Sequence, residues 1–186
     1  GDNAVVCELD YASGRYAFAG LARYGVGIRL IPGNGWRVET SDLLAACDER
    51  TKAVYVSQVN AMTGQLVNIA EISGALAGTP TILILDASHA MGVVPVRADL
   101  ADFTVSSCYK FALGIHEGVF AWNRKRRPNF LPFGVGWAAA NPEEKTRGYQ
   151  LKSDARRAEF GNAGHLGAYL LQHSLNYLNA FGIEAI

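Results

Sequence analysis

Asp102-Phe-Thr-Val-Ser-Ser-Cys-Tyr-Lys110, continued by Phe111-Ala-Leu-Gly-Ile-His-Glu-Gly118, reads as an apolar strand that delivers a lysine into a glycine-bearing loop. Upstream, Thr81-Ile-Leu-Ile-Leu85 runs straight into Asp86, with Ala-Ser-His89 behind it. Strands this apolar are those buried on both faces of a parallel sheet. An amine and a carboxylate thus stand at two strand mouths, where open α/β sheets bind their ligands.

Working outward from these strands, short apolar runs alternate with helical patterns, the signature of βαβ units. Strands are expected from Ala4 to Cys7, Ile28 to Ile31, Ala53 to Ser57, Thr81 to Leu85, Phe103 to Ser106 and Val119 to Trp122. Helices are expected from Ser13 to Tyr24, from Ser41 to Asp48 with Thr40 or Ser41 as cap, and from Asn68 to Leu76, stopped by Gly78 and Pro80. Phe130 to Ala158, rich in proline, glycine and charge, reads as a long excursion off the sheet. Leu166, Tyr169, Leu170, Tyr177 and Leu178 recur at helical spacing before Gly182 and predict a closing helix. The fold class is therefore α/β, a mostly parallel sheet with helices on both faces.

The bulk numbers agree. A chain of 186 residues, 49% hydrophobic and 18% charged, has the composition of a globular domain with one sizeable core. Seventeen basic residues balance seventeen acidic ones, which speaks against nucleic acid or an anionic membrane as partner. The basic run Arg124-Lys-Arg-Arg127 before Pro128 is expected to be a solvated turn. Cys7, Cys47 and Cys108 show no metal-ligand spacing, so no metal is expected, the thiols read as free, and the cytoplasm is the expected compartment. Cys108, beside the lysine, reads as a buried thiol rather than a nucleophile. The chain opens on Gly1-Asp-Asn and passes at once into an apolar strand, as part of a longer polypeptide would.

Lys110 and Asp86 each have an ordinary reading, a lysine at a strand end and a helix N-cap. Together, with their flanks, they suit pyridoxal phosphate. That cofactor needs an amine to hold its aldehyde as a Schiff base and an aspartate to keep its pyridine nitrogen protonated. Lysine serves because its pKa falls readily on burial, and an aspartate paired with a pyridinium is stabilised in its charged form.

The order of motifs, Asp86-Ala-Ser-His89 and then Ser107-Cys-Tyr-Lys110 with its glycine loop, resembles the large domain of fold-type-I pyridoxal-phosphate enzymes of the class V aminotransferase family. Cysteine desulfurases, isopenicillin N epimerase and kynureninase belong to that group. Gly1 to Asp10, Thr51 to Ser57 and Thr63-Gly64 match the family's strands and turn, and Arg157-Ala-Glu-Phe-Gly-Asn162 resembles its Arg-Phe-Glu-x-Gly-Thr segment. The resemblance implies that Lys110 forms the Schiff base and moves the substrate Cα proton, that Asp86 pairs with the pyridine nitrogen, and that His89 hydrogen-bonds the cofactor's phenolic oxygen. It places Ser107 at the phosphate and Tyr109, which resembles the Tyr-Lys pair of kynureninase, among the cofactor-binding residues. Tyr11 falls where desulfurases stack a ring on the cofactor, and its alternative is a core aromatic at a helix start. Ala61 departs from the family, whose relatives often carry Asn there; Asn60 stands one residue away.

The resemblance further implies an amino-acid substrate, a homodimer in the full-length form, and a desulfurase-like lyase or transferase. A kynureninase-like hydrolase, an epimerase and a non-catalytic scaffold are the alternatives. The family's phosphate-cradling loop would precede Gly1 and its substrate-carboxylate arginine would follow Ile186. Residues 1–186 are thus expected to be a large domain incomplete at both ends and unable to turn over alone.

Overall fold

Every expected strand forms. In the computed structural model, which describes residues 1–143 and 148–186, β1 (Asn3–Cys7), β2 (Gly27–Ile31), β3 (Thr51–Ser57), β4 (Ile82–Asp86) and β5 (Phe103–Ser107) pair in parallel. A last strand, β6 (Gly118–Trp122), returns antiparallel to β5. The six strands lie in the order β2-β1-β3-β4-β5-β6. Chain direction across the sheet reverses between β1 and β3, so the crevice at which such sheets bind ligands opens at the carboxyl ends of these two strands.

Between the strands run α1 (Ala12–Ala19), α2 (Thr40–Ala45) and α3 (Ile69–Ala75). Val5 and Cys7 of β1, Val54 and Val56 of β3, and Leu83 and Leu85 of β4 point to one face, where they pack with Leu43 of α2 and Ile69, Ile72 and Leu76 in and beside α3. Full burial of such a side chain contributes about 2 kcal/mol, which makes this layer the main source of cohesion. Tyr55 lies between Val54 and Val56 and so points to the other face, where its ring meets Phe18 of α1 at 5.6 Å. That second face is less covered: Ile82, Ile84, Phe103 and Val105 are only half-buried, while their strand neighbours are buried.

The helices differ from expectation at their ends. The helix expected from Ser13 to Tyr24 stops at Ala19, and a 3-10 turn, Gly20–Tyr24, completes it before Gly25 turns the chain at φ 79. Gly20 weakens the helix interior where the two meet. α2 starts on Glu39, which makes no side-chain cap, because Thr40 and Ser41 already lie inside the first turn. Asn68 caps α3 by accepting from the backbone N–H of Glu71 at 3.3 Å. The closing helix, α4 (His165–Phe181), forms as expected and ends at Gly182.

Two sequence expectations are corrected. The excursion after Phe130 contains an antiparallel hairpin of β7 (Ala140–Glu143) and β8 (Gly148–Leu151), with the residues joining the two strands outside those described. Pro142, which cannot donate to a ladder, masked the strand pattern. The basic run is likewise more than a solvated turn, for only Arg124 and Lys125 are exposed. Arg127 Nε and Arg126 Nε donate to Oδ1 of buried Asp102 at 2.9 and 3.3 Å. The other oxygen of Asp102 accepts from Leu83 N–H at 2.7 Å, and Arg127 also reaches the carbonyl of Thr81 at 2.8 Å. One aspartate thus ties the start of β4 to β5 and to the turn after β6.

Removing one partner of a buried ion pair leaves the others unpaired, a loss of about 3–5 kcal/mol. Asp102→Ala is therefore expected to lower unfolding free energy by about that amount. Urea denaturation at neutral pH checks it, and a loss below about 1 kcal/mol would show that the arginines reach solvent instead.

Candidate active site

Lys110 follows directly from the end of β5. The strand stops at Ser107, and Cys108 to Lys110 turn away from the sheet. Two backbone bonds hold the turn, Gly114 N–H to the carbonyl of Cys108 at 2.8 Å and Leu113 N–H to that of Lys110 at 3.2 Å. Leu113 adopts φ 57, a conformation costly for a side chain of its kind. Its carbonyl is held by the Ser174 hydroxyl of α4 at 2.7 Å. Gly92, at φ 98, lies so close to this loop that a Cβ there would fall 2.2 Å from the Phe111 carbonyl oxygen. Glycine at that position lets the loop after β4 approach the loop after β5.

That approach brings the predicted residues together. The Lys110 ammonium, half-buried, stands 3.4 Å from Nδ1 of His89 and 5.0 Å from the centre of the Tyr11 ring. Burial, and then the nearby Lys110 charge, pull the His89 pKa down, so its ring is neutral at physiological pH. With Nδ1 accepting from the amine, the ring proton belongs on Nε2, which is then free to donate. Tyr11 is 48% exposed, so it is not a core aromatic, and its ring lies over the amine.

Asp86, the last residue of β4, is bound on both oxygens. The Tyr55 hydroxyl donates to Oδ2 at 2.6 Å and the Ser88 N–H to Oδ1 at 2.8 Å. Ser88 also joins the two site strands, because its hydroxyl accepts from Ser107 N–H at 2.9 Å. Ser107 therefore stands beside the Asp86 loop. Tyr109 packs its ring against His116 in a tilted pair, ring centres 4.9 Å apart, and is half-exposed. Cys108 is fully buried and burial pushes its thiol pKa up, which agrees with a packing role. Asn60 is also buried, donating to the Leu9 carbonyl at 3.1 Å and accepting from Met62 N–H at 2.9 Å, so it builds the turn after β3.

Sequence reasoning missed Tyr55, Ser88 and Asp10. A tyrosine inside the run Ala-Val-Tyr-Val needs a partner for its hydroxyl, and that signal was present. Asp10 ends the β1 segment, 3% exposed, with Oδ1 accepting from Ser57 N–H at 3.0 Å and Oδ2 lacking any protein partner.

An open α/β sheet with an amine, an imidazole and a carboxylate converging at its carboxyl edge defines a class of ligand-binding fold. A narrower assignment comes from relatives. The family model for class-V aminotransferases matches residues 1–186, and the chain belongs to that family, one of pyridoxal-phosphate-dependent enzymes. A probable cysteine desulfurase of Methanothermobacter thermautotrophicus is 26% identical over all of this chain and 47% of its own length. A kynureninase of Salinispora tropica is 27% identical over 98% of the chain and 47% of its own length. The cysteine desulfurase CsdA of Escherichia coli shares the fold with a TM-score of 0.86 at 19% identity, covering 100% of this chain and 47% of that one. The chain spans about half the length of the curated relatives it matches. Among the described residues no helix is long and apolar enough to cross a membrane, and no group of three or more His, Cys, Asp or Glu could hold a metal ion.

Burial pushes the Asp10 carboxyl up from 3.8 to about 6, against the Ser57 hydrogen bonds that pull it down and with the Asp86 charge adding to the rise. The folded chain thus holds this proton more tightly than the unfolded chain. Stability contributed at Asp10 is greatest below the unfolded pKa and falls as pH rises toward 6. A shift of this size is worth about 3 kcal/mol. Asp10→Asn, which has no charge to bury, is expected to gain stability relative to the unsubstituted protein by about 2 kcal/mol between pH 4 and pH 7. Paired urea denaturation curves at the two pH values test this; a constant difference between the proteins refutes it.

Proposed function

We propose that residues 1–186 are the cofactor-binding large domain of a pyridoxal-phosphate-dependent enzyme that acts on an amino acid, in the manner of a cysteine desulfurase. The observation that carries this reading is the convergence of Lys110, His89 and Asp86 at one sheet edge beneath the Tyr11 ring. The donor set fits the cofactor: an amine for an aldehyde, an anionic carboxylate with acceptor capacity left over for a protonated ring nitrogen, and a flat face for an aromatic ring. When bound, pyridoxal phosphate supplies an aldehyde that couples to amines and a ring that accepts the electron pair left at a substrate Cα.

The family resemblance supplies the roles of the chain's own residues, and their positions support it. Lys110 Nζ would hold the cofactor and would move the substrate Cα proton. His89 orients that amine through Nδ1 and offers Nε2–H to the phenolic oxygen. Asp86 keeps a proton on the ring nitrogen through charge. Ser107, joined to the Asp86 loop by Ser88, would contact the phosphate, and Tyr109 is a further cofactor-binding residue. Tyr11 covers the ring and limits water. The free thiols of Cys7, Cys47 and Cys108 agree with a cytoplasmic protein. Exposed Tyr169, Tyr177 and Phe181 on α4 agree with burial in a full-length homodimer.

A kynureninase-like hydrolase is the second reading, favoured by Tyr109 next to Lys110 and by the kynureninase match over nearly the whole chain. Turnover with cysteine against turnover with kynurenine separates the two.

Borohydride trapping of the protein loaded with pyridoxal phosphate, followed by peptide mass mapping, is expected to place a phosphopyridoxyl group on Lys110. An adduct on another lysine, or none, defeats the assignment. Asp86→Asn is expected to retain the fold and the adduct but to lose about a hundredfold in turnover in the full-length enzyme, since the amide keeps the shape without the charge. Near-unchanged turnover would remove Asp86 from the ring nitrogen.

A further inference from the structure

Tyr55 is the phenol of an otherwise apolar strand interior, 5% exposed. Its ring fills space beneath α1, which a phenylalanine would do as well. Its hydroxyl does something more specific, standing 2.6 Å from Asp86 Oδ2. The backbone of α1 closes over that hydroxyl, because a Cβ on Gly14 would lie 2.4 Å from both Cζ and Oη of Tyr55. The phenol is therefore confined on the side away from the carboxylate.

We propose that Tyr55 is a positioning residue for the cofactor's ring nitrogen, acting through Asp86: its hydroxyl fixes the carboxylate's orientation and keeps the proton they share on nitrogen rather than on the carboxylate. This rests on the reading of Asp86 as the ring-nitrogen partner. Burial, followed by the Asp86 charge and the hydrogen bond to it, raises the Tyr55 pKa far above the usual phenol range, so Tyr55 stays a donor at every physiological pH. The second oxygen of Asp86 is held by Ser88 N–H, which leaves the carboxylate one defined orientation. At the end of the same strand, Ser57 N–H donates to Oδ1 of Asp10 at 3.0 Å. Asp10, just beyond β1, and Asp86, at the end of β4, are thus each bonded to a residue of the strand between them, β3.

The direction of the effect follows from basicity. A carboxylate that loses a donor becomes a stronger base and draws a shared proton toward itself. The test is the nitrogen resonance of pyridoxal phosphate labelled with nitrogen-15 in its ring, bound to the unsubstituted protein and to Tyr55→Phe. The unsubstituted protein is expected to show a pyridinium resonance, and Tyr55→Phe one displaced toward neutral pyridine at the same pH, with the Lys110 adduct retained in both. Gly14→Ala, which pushes the hydroxyl off Asp86 without deleting it, is expected to displace the resonance in the same direction. A pyridinium resonance unchanged in Tyr55→Phe, even with a lowered melting temperature, would reduce Tyr55 to a space-filler and overturn this inference alone. A resonance that stays at its free-solution value in the unsubstituted protein overturns the Asp86 reading and this inference with it.

Discussion

The parallel register of β3, β4 and β5 is the constraint from which the rest follows. Ser57 pairs with Asp86, and Asp86 with Val105, so three strands reach one edge within a residue or two of one another. Because the pairing is parallel, whatever follows each strand emerges on the same side. Asp10 and Tyr11 after β1, Ser57 at the end of β3, Asp86 to His89 after β4 and Lys110 after β5 are gathered for that reason alone. A single-residue slip of β4 would turn Asp86 to the opposite face of the sheet and separate it from Tyr55.

Gathering polar groups at a half-closed edge creates an electrostatic problem, and the chain resolves it unevenly. Asp86 receives two donors and remains a satisfied acceptor. Asp10, more deeply buried and with one oxygen unpartnered, is pushed toward the neutral acid. His89 is kept neutral by burial and by the nearby amine.

Much of this was legible from the residues. Buried parallel strands are apolar along their length, and each candidate site residue announced itself as a polar residue breaking such a run at its carboxyl end. What misled was local chemistry with a distant partner. The Arg124 to Arg127 run looks like solvated charge until Asp102, far along the chain, is brought beside it. Asn60, one residue from the position where relatives carry Asn, serves the turn and the Leu9 carbonyl. Thr40 looked like a cap because capping preference is short-range, whereas the start of α2 is fixed by where the core needs Leu43.

The sequence by itself determined the six strands of the main sheet, the helices between them, and the family, because apolar period and residue order are local properties of the chain. Tertiary structure alone decided which polar groups meet. Tyr55 and Asp86 are separated by a helix and two loops, and no period or spacing links them; a 2.6 Å hydrogen bond does so only after β3 and β4 pair. The same holds for the raised carboxyl of Asp10 and for the glycine contact between the loops that carry His89 and Lys110. Burial and charge proximity are sums over neighbours from the whole chain, and those neighbours exist only in the folded state.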